Sequence, residues 1–162
     1  SRRNYNPETN ADRMLYKIVE MAYEGNERIN FNIPDGDRER NWYTVADLGE
    51  KCKFFLFHGD QVRGFGGFPW YGFGKKLLGW KALAANGLME DFNYACAGHY
   101  HTPTTMYVND IRLWVNGSTE SYNTFAQEQL ASMGRPCQYL LFAKTGLGVT
   151  SEYLINLELD KS

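Results

Sequence analysis

The hydrophobic positions along this chain change period several times, and each change marks an element. Met14, Leu15, Ile18, Val19 and Ala22 recur at helical spacing and predict an amphipathic helix over residues 10–24. Thr9 or Asn10 can cap its start, and Gly25 stops it. Residues 28–33 alternate and predict a strand, with Pro34-Asp35-Gly36-Asp37-Arg38 as the turn after it. Two further strands are predicted over 42–46 and 52–57. In the second, Phe54-Phe55-Leu56-Phe57 puts apolar side chains on both faces, as expected of a central strand covered on both sides. A glycine and aromatic loop from Arg63 to Gly74 follows, then a helix over 75–89. Residues 92–97 predict a strand, and 105–108 with 111–115 a hairpin turning at Asn109-Asp110. A short helix over 124–133 and two strands over 138–143 and 152–159 complete the pattern.

Helices mixed with strands, then a β-rich end, predict one α/β (α+β) domain over residues 1–162, a mixed sheet with flanking helices. Apolar residues make up 43% and aromatics 15%, which excludes a disordered chain. No apolar run approaches the roughly 20 residues that cross a bilayer, so no membrane association is expected. The net charge of −2 argues against the broad basic face of a dedicated nucleic-acid binder. A phosphate substrate would then be held by metal ions and not by lysines.

The cysteines Cys52, Cys96 and Cys137 are odd in number and lack CxxC spacing, which points to reduced thiols and a cytoplasmic setting. Cys96 precedes His99 by three residues, so it is either a metal ligand or, as its strand setting favours, a small apolar filler. Asn116-Gly117-Ser118 fits the glycosylation pattern but reads as a turn in a reducing compartment. Ser1-Arg2-Arg3-Asn4, with neither an initiator Met nor a signal-peptide core, reads as an internal cut or a processed start.

The chemistry concentrates at the histidines. His58, His99 and His101 are the only three, and each follows an apolar run: Phe54-Phe55-Leu56-Phe57-His58-Gly59-Asp60 and Tyr94-Ala95-Cys96-Ala97-Gly98-His99-Tyr100-His101. A strand that ends in a neutral imidazole, twice, is how an α/β protein presents nitrogen ligands to a metal between loops. In extended backbone His99 and His101 would point the same way, ~7 Å apart. That spacing suits two ions ~3.5–4 Å apart, one histidine on each. Gly98 would let the backbone approach the site closely. The alternative is that both histidines only hydrogen-bond within a loop. Arg63 lies close enough in sequence to His58 to reach a substrate phosphate or, equally, to form a surface ion pair. Tyr100 would face away from both histidines and favours packing over contact with substrate. The loop aromatics Phe65, Phe68, Trp70, Tyr71 and Phe73 either stack on nucleobases or pack against their own domain. Gly74-Lys75-Lys76 lacks the Ser or Thr of a Walker A loop.

Four segments carry a more specific resemblance: Phe57-His58-Gly59-Asp60-Gln61-Val62-Arg63-Gly64, Ala97-Gly98-His99-Tyr100-His101-Thr102-Pro103, Val115-Asn116-Gly117-Ser118 and Gly134-Arg135-Pro136-Cys137-Gln138. In this order, over roughly residues 50–145, the chain resembles the C-terminal half of a calcineurin-like metallophosphoesterase, particularly the bacteriophage-type members related to DNA-repair exonucleases. The resemblance implies half of a four-layer αββα sandwich and two divalent metal ions, manganese first, with iron, zinc or magnesium as alternatives. It places His58 and His99 on one ion and His101 on the other, with Asp60 orienting an imidazole. A hydroxide held between the ions would attack phosphorus in line with the leaving group. The implied substrate is a phosphodiester, nucleic acid such as DNA, in the host cytoplasm if the chain is phage-encoded.

The family's upstream DxH, GDxxD and GNH motifs are missing from this sequence, and no Asp-x-His occurs in it. Three histidines without a bridging carboxylate hold two like-charged ions poorly. The chain alone is therefore expected to be inactive, with the N-terminal half of the same domain or another chain supplying Asp and Asn ligands. The competing expectation is a structural or interaction domain without catalysis, or a metal-binding accessory subunit.

Overall fold

The computed structural model describes residues 11–33, 42–64, 67–120 and 136–158. The chain divides into two compact units, Ser1–Thr44 and Val45–Ser162. In the first, α1 (Ala11–Ala22) carries Asp12 in its first turn, where a negative charge favours the helix dipole. Lys17 and Glu20 pair along its surface at 2.8 Å. Gly25 takes a left-handed φ of 82° just past the helix, the conformation expected of a helix stop. The strand expected over 28–33 is absent. Asn26 Oδ1 accepts the Arg28 amide at 3.1 Å, and Ile29 N–H returns to the Asn26 carbonyl, so the segment starts in a turn.

The main sheet contains β1 (Tyr43–Asp47), β2 (Lys53–Phe57), β3 (Tyr94–Ala97), β4 (Thr104–Val108) and β5 (Ile111–Val115), in the order β1-β2-β3-β5-β4. The β2–β3 and β3–β5 pairs are parallel, and β4–β5 is the expected antiparallel hairpin, with Asn109 at φ 54° in its turn. Between β2 and β3 runs α2 (Trp70–Ala85). A second sheet is the antiparallel pair β6 (Cys137–Lys144) and β7 (Gly148–Asn156), with a register shift at Phe142/Ala143. The fold is thus mixed α/β, with the mixed sheet expected from the sequence. The helix expected over 124–133, and Gly134-Arg135 of the resembling segment, lie outside the described residues.

Alternation along β2 builds two cores. Phe55 and Phe57 face α2, with ring centroids 5.2 and 5.1 Å from Trp80, and Phe55 stacks on Phe92 at 4.8 Å. On the other face Cys52, Phe54 and Trp114 cluster beneath Tyr139, Leu141 and Val149 of the hairpin, giving the layer order helix, sheet, sheet. Both faces of β2 are covered, as its apolar run predicts, except that Leu56 stays 36% exposed. Glu152 ties the sheets together. It accepts from Arg112 Nη2 and from the indole N–H of Trp114, each at 2.5 Å.

Helix α2 starts five residues before its expected position, so the last five of the twelve residues of the predicted glycine loop are helical. A Cβ on Gly72 would stand 2.9 Å from the Arg63 carbonyl oxygen and from Val62, so this glycine is a close-packing position inside a helix. The helix also ends earlier than expected. Asn86 donates its side-chain amide to the Ala82 carbonyl at 2.8 Å, and Gly87 follows with a φ of 71°.

Candidate metal centre

Because β2 and β3 are parallel neighbours, their C-terminal ends lie side by side, the position where open α/β sheets form their sites. His58 follows the last residue of β2, and His99 stands two residues beyond β3. The backbone joins the two ends directly, Gly98 N–H donating to the His58 carbonyl at 2.9 Å. Positions 41 apart in sequence thereby place His58 Nε2 3.1 Å from His99 Nδ1, with ring centroids 4.9 Å apart and planes at 69°. Both rings are exposed.

The tight contact in this corner is at Gly59. With φ 113°, a Cβ there would meet the Gly98 carbonyl oxygen at 3.0 Å and the His99 Cβ at 3.1 Å. The sequence had suggested Gly98 for this role, but a Cβ on Gly98 would make only ordinary contact, 3.6 Å from the His58 oxygen. Gly59 N–H is held by Gln61 Oε1 at 3.2 Å, and Val62 N–H closes the turn onto the Gly59 carbonyl.

The Gly98-His99-Tyr100-His101 segment is not extended, which corrects the geometry expected of it. His99 and His101 have φ values of 66° and 52°, and Tyr100 N–H bonds back to the Gly98 carbonyl at 2.7 Å. An i to i+2 hydrogen bond around a central residue of positive φ is a γ-turn of the rare, strained kind. The same-side projection of the two imidazoles, which needed a strand, therefore does not apply, and His99 meets His58 without His101 beside it. Among the described residues no group of three His, Cys, Asp or Glu side chains is close enough to hold an ion.

Tyr100 is a strut. Its hydroxyl donates to the Val62 carbonyl at 2.5 Å, and its ring packs against Phe68, Phe73 and His99 at 5.3, 5.6 and 5.0 Å. Its ring contacts are those of a packed side chain, and its hydroxyl proton is engaged by the Val62 carbonyl. Asp60 is half-buried, with its Oδ1 shut off from solvent, and Arg63 is exposed. Cys96 packs against the Cys52, Phe54 and Trp114 cluster, and burial pushes its thiol up to about 12. A metal ligand must be the thiolate, so this setting is that of an apolar filler.

The paired imidazoles fit one ion. Two nitrogens at ~2.0–2.1 Å from a metal and 3.1 Å apart subtend an angle of about 100°, between octahedral and tetrahedral values. The same spacing fits a hydrogen bond between two neutral imidazoles with complementary tautomers.

Below the site, Asn116 and Gln138 join the end of β5 to β6. Asn116 donates to Gln138 Oε1 and accepts the Tyr139 amide at 2.9 Å, while Gln138 donates to the carbonyls of Gly117 and Cys137. The resembling segments contained both residues, but nothing in their spacing indicated that they bond to each other. Gly59 was likewise visible only as part of a motif.

No family model matches the chain, and no curated protein matches it. It is similar to solved structures of low identity. One is Vps29 of Entamoeba histolytica complexed with zinc, 18% identical over 72% of this chain and 61% of that one, with a TM-score of 0.47. Vacuolar protein sorting 29 of Cryptosporidium parvum is 18% identical over 87% of this chain and 76% of its own, at 0.45. A conserved uncharacterized protein of Streptococcus pneumoniae, a predicted phosphoesterase, is 13% identical over 88% and 90%, at 0.41. The chain spans about three fifths of the length of the Entamoeba protein.

Proposed function

We propose that this chain is the C-terminal portion of a calcineurin-like metallophosphoesterase domain that hydrolyses phosphodiester bonds, those of DNA among them. The observation that carries the reading is the 3.1 Å approach of His58 Nε2 to His99 Nδ1, made by two strand ends far apart in sequence. The two side chains would hold one divalent ion, manganese, zinc, iron or magnesium, with His101 serving a second. Asp60 would orient an imidazole, and exposed Arg63 would meet a substrate phosphoryl oxygen. Ions in this position would lower the pKa of a bound water and offset charge on the phosphoryl oxygens. The protein's own task would then be to hold the two imidazoles in register, a task supported by the Gly98 to His58 backbone bond and the γ-turn at His99. Asp and Asn ligands would come from the N-terminal half of the domain or from another chain.

A second reading keeps the fold without catalysis, as an interaction domain or a metal-binding accessory subunit. It is favoured by the lack of any three-ligand group among the described residues. No described helix is long and apolar enough to cross a membrane. Metal-dependent hydrolysis of bis-p-nitrophenyl phosphate separates the two. Hydrolysis by the gene product that contains this chain, abolished by His99→Ala, supports the phosphoesterase. A gene product that stays inactive with manganese, zinc, iron and magnesium overturns it.

A further inference from the structure

The indole of Trp114 is sealed in the core at 2% exposure and that of Trp80 at 7%, yet Trp70 is 54% exposed and its neighbour Tyr71 81%. Both sit in the first turn of α2, beside the histidine corner. A continuous series of ring contacts leads there: Trp70 to Phe68 at 4.7 Å, Phe68 to Tyr100 at 5.3 Å, and Tyr100 to His99 at 5.0 Å. Phe68 is itself fixed by stacking on buried Phe73 at 5.2 Å with a 17° tilt, so Trp70 leans on a rigid support. The surroundings are cationic. Arg63 and Lys75 are exposed, Lys76 carries its ammonium over the Trp80 ring at 5.9 Å, and the first turn of α2 holds no acidic residue.

We propose that Trp70 and Tyr71 form a stacking platform for the bases of a single-stranded nucleic acid whose backbone passes the histidine pair. This rests on the phosphodiesterase reading and adds to it the single-stranded form of the substrate and the residues that would take its bases. Exposed aromatic faces accept any base by stacking, while the nearby cations follow the phosphates without reading sequence.

The test compares a fluorescently labelled thymidine 12-mer with an abasic 12-mer of equal charge, by anisotropy on the full chain at fixed salt. The thymidine strand is expected to bind at least about fivefold more tightly, the lower end of what one stacked base contributes. Trp70→Ala with Tyr71→Ala should remove that preference while leaving the weaker abasic binding in place, and Trp70→Phe should restore much of it. Both positions are exposed, so circular dichroism should show an unchanged fold. Equal binding of the two strands by the unmodified chain, or a preference that survives the double substitution, overturns the platform. Failure of the phosphodiesterase reading has a different signature, since base preference would then persist without hydrolysis by any metal-loaded form of the gene product.

Discussion

His58 and His99 are joined twice. Their imidazole nitrogens approach to 3.1 Å, and the His58 carbonyl receives the amide of Gly98, the residue before His99. The second link makes the first reproducible. It fixes the separation of two loop backbones that would otherwise drift, and the side chains inherit that separation. Preorganisation of this kind is what the proposed metal position would require.

Gly59 is the position where this corner tolerates least. Gly59→Ala should cost about 1–2 kcal/mol for the left-handed backbone alone. It should also push the Gly98 oxygen and the His99 Cβ away from contacts of 3.0 and 3.1 Å, weakening zinc binding at least tenfold. Gly98→Ala is the control, expected to stay within about 0.5 kcal/mol in urea unfolding because its Cβ meets only an ordinary contact. Equal effects of the two substitutions would show that the corner is not sterically closed at Gly59.

Glu152 joins the two sheets through Arg112 and the buried Trp114 indole. Glu152→Ala leaves the Trp114 N–H and part of the guanidinium without an acceptor, and about 2–4 kcal/mol of stability should be lost. Glu152→Gln keeps a neutral acceptor and should cost clearly less. Urea denaturation followed by tryptophan fluorescence measures both, and matching losses would place the contribution in the carboxylate's charge and not in packing or neutral hydrogen bonding.

Alkaline pH should destabilise the protein in part through Cys96. Its thiol is held neutral in the folded state to about 12, whereas an unfolded cysteine ionises near ~8.5. The raised folded value means that its contribution is complete below ~8.5 and is lost progressively as pH rises toward the folded value. The urea midpoint should therefore fall between pH 8 and 11, and fall less in Cys96→Val. Iodoacetamide at pH 8.5 should leave native Cys96 unmodified. Rapid alkylation without unfolding would contradict a half-buried thiol held neutral by desolvation.

How much of this was legible in the sequence depended on how local each feature is. The apolar run at Phe54 to Phe57 and the turn at Asn109-Asp110 carry their structure in adjacent residues, and both appear where the pattern puts them. The meeting of His58 with His99 followed from two strand ends with one kind of ligand each. The conformation of the second motif did not, because an extended strand and a γ-turn share the same four letters until a backbone bond from Tyr100 to Gly98 selects between them. The glycines of α2 misled for a related reason. The helix carries a glycine at 72 because Val62 and Arg63 come too near for a side chain, a tertiary demand that local propensity does not register. The pairing of Asn116 with Gln138 likewise spans two sheets, and only the fold brings them together.

Zinc titration of the isotopically labelled chain, watched through the imidazole resonances of His58 and His99, tests the shared ion most directly. Both rings should shift together and saturate at the same zinc concentration, and His58→Ala should remove the response of His99. Imidazoles that ignore zinc, or a His99 that binds it equally well once His58 is gone, would contradict a single ion gripped by this pair.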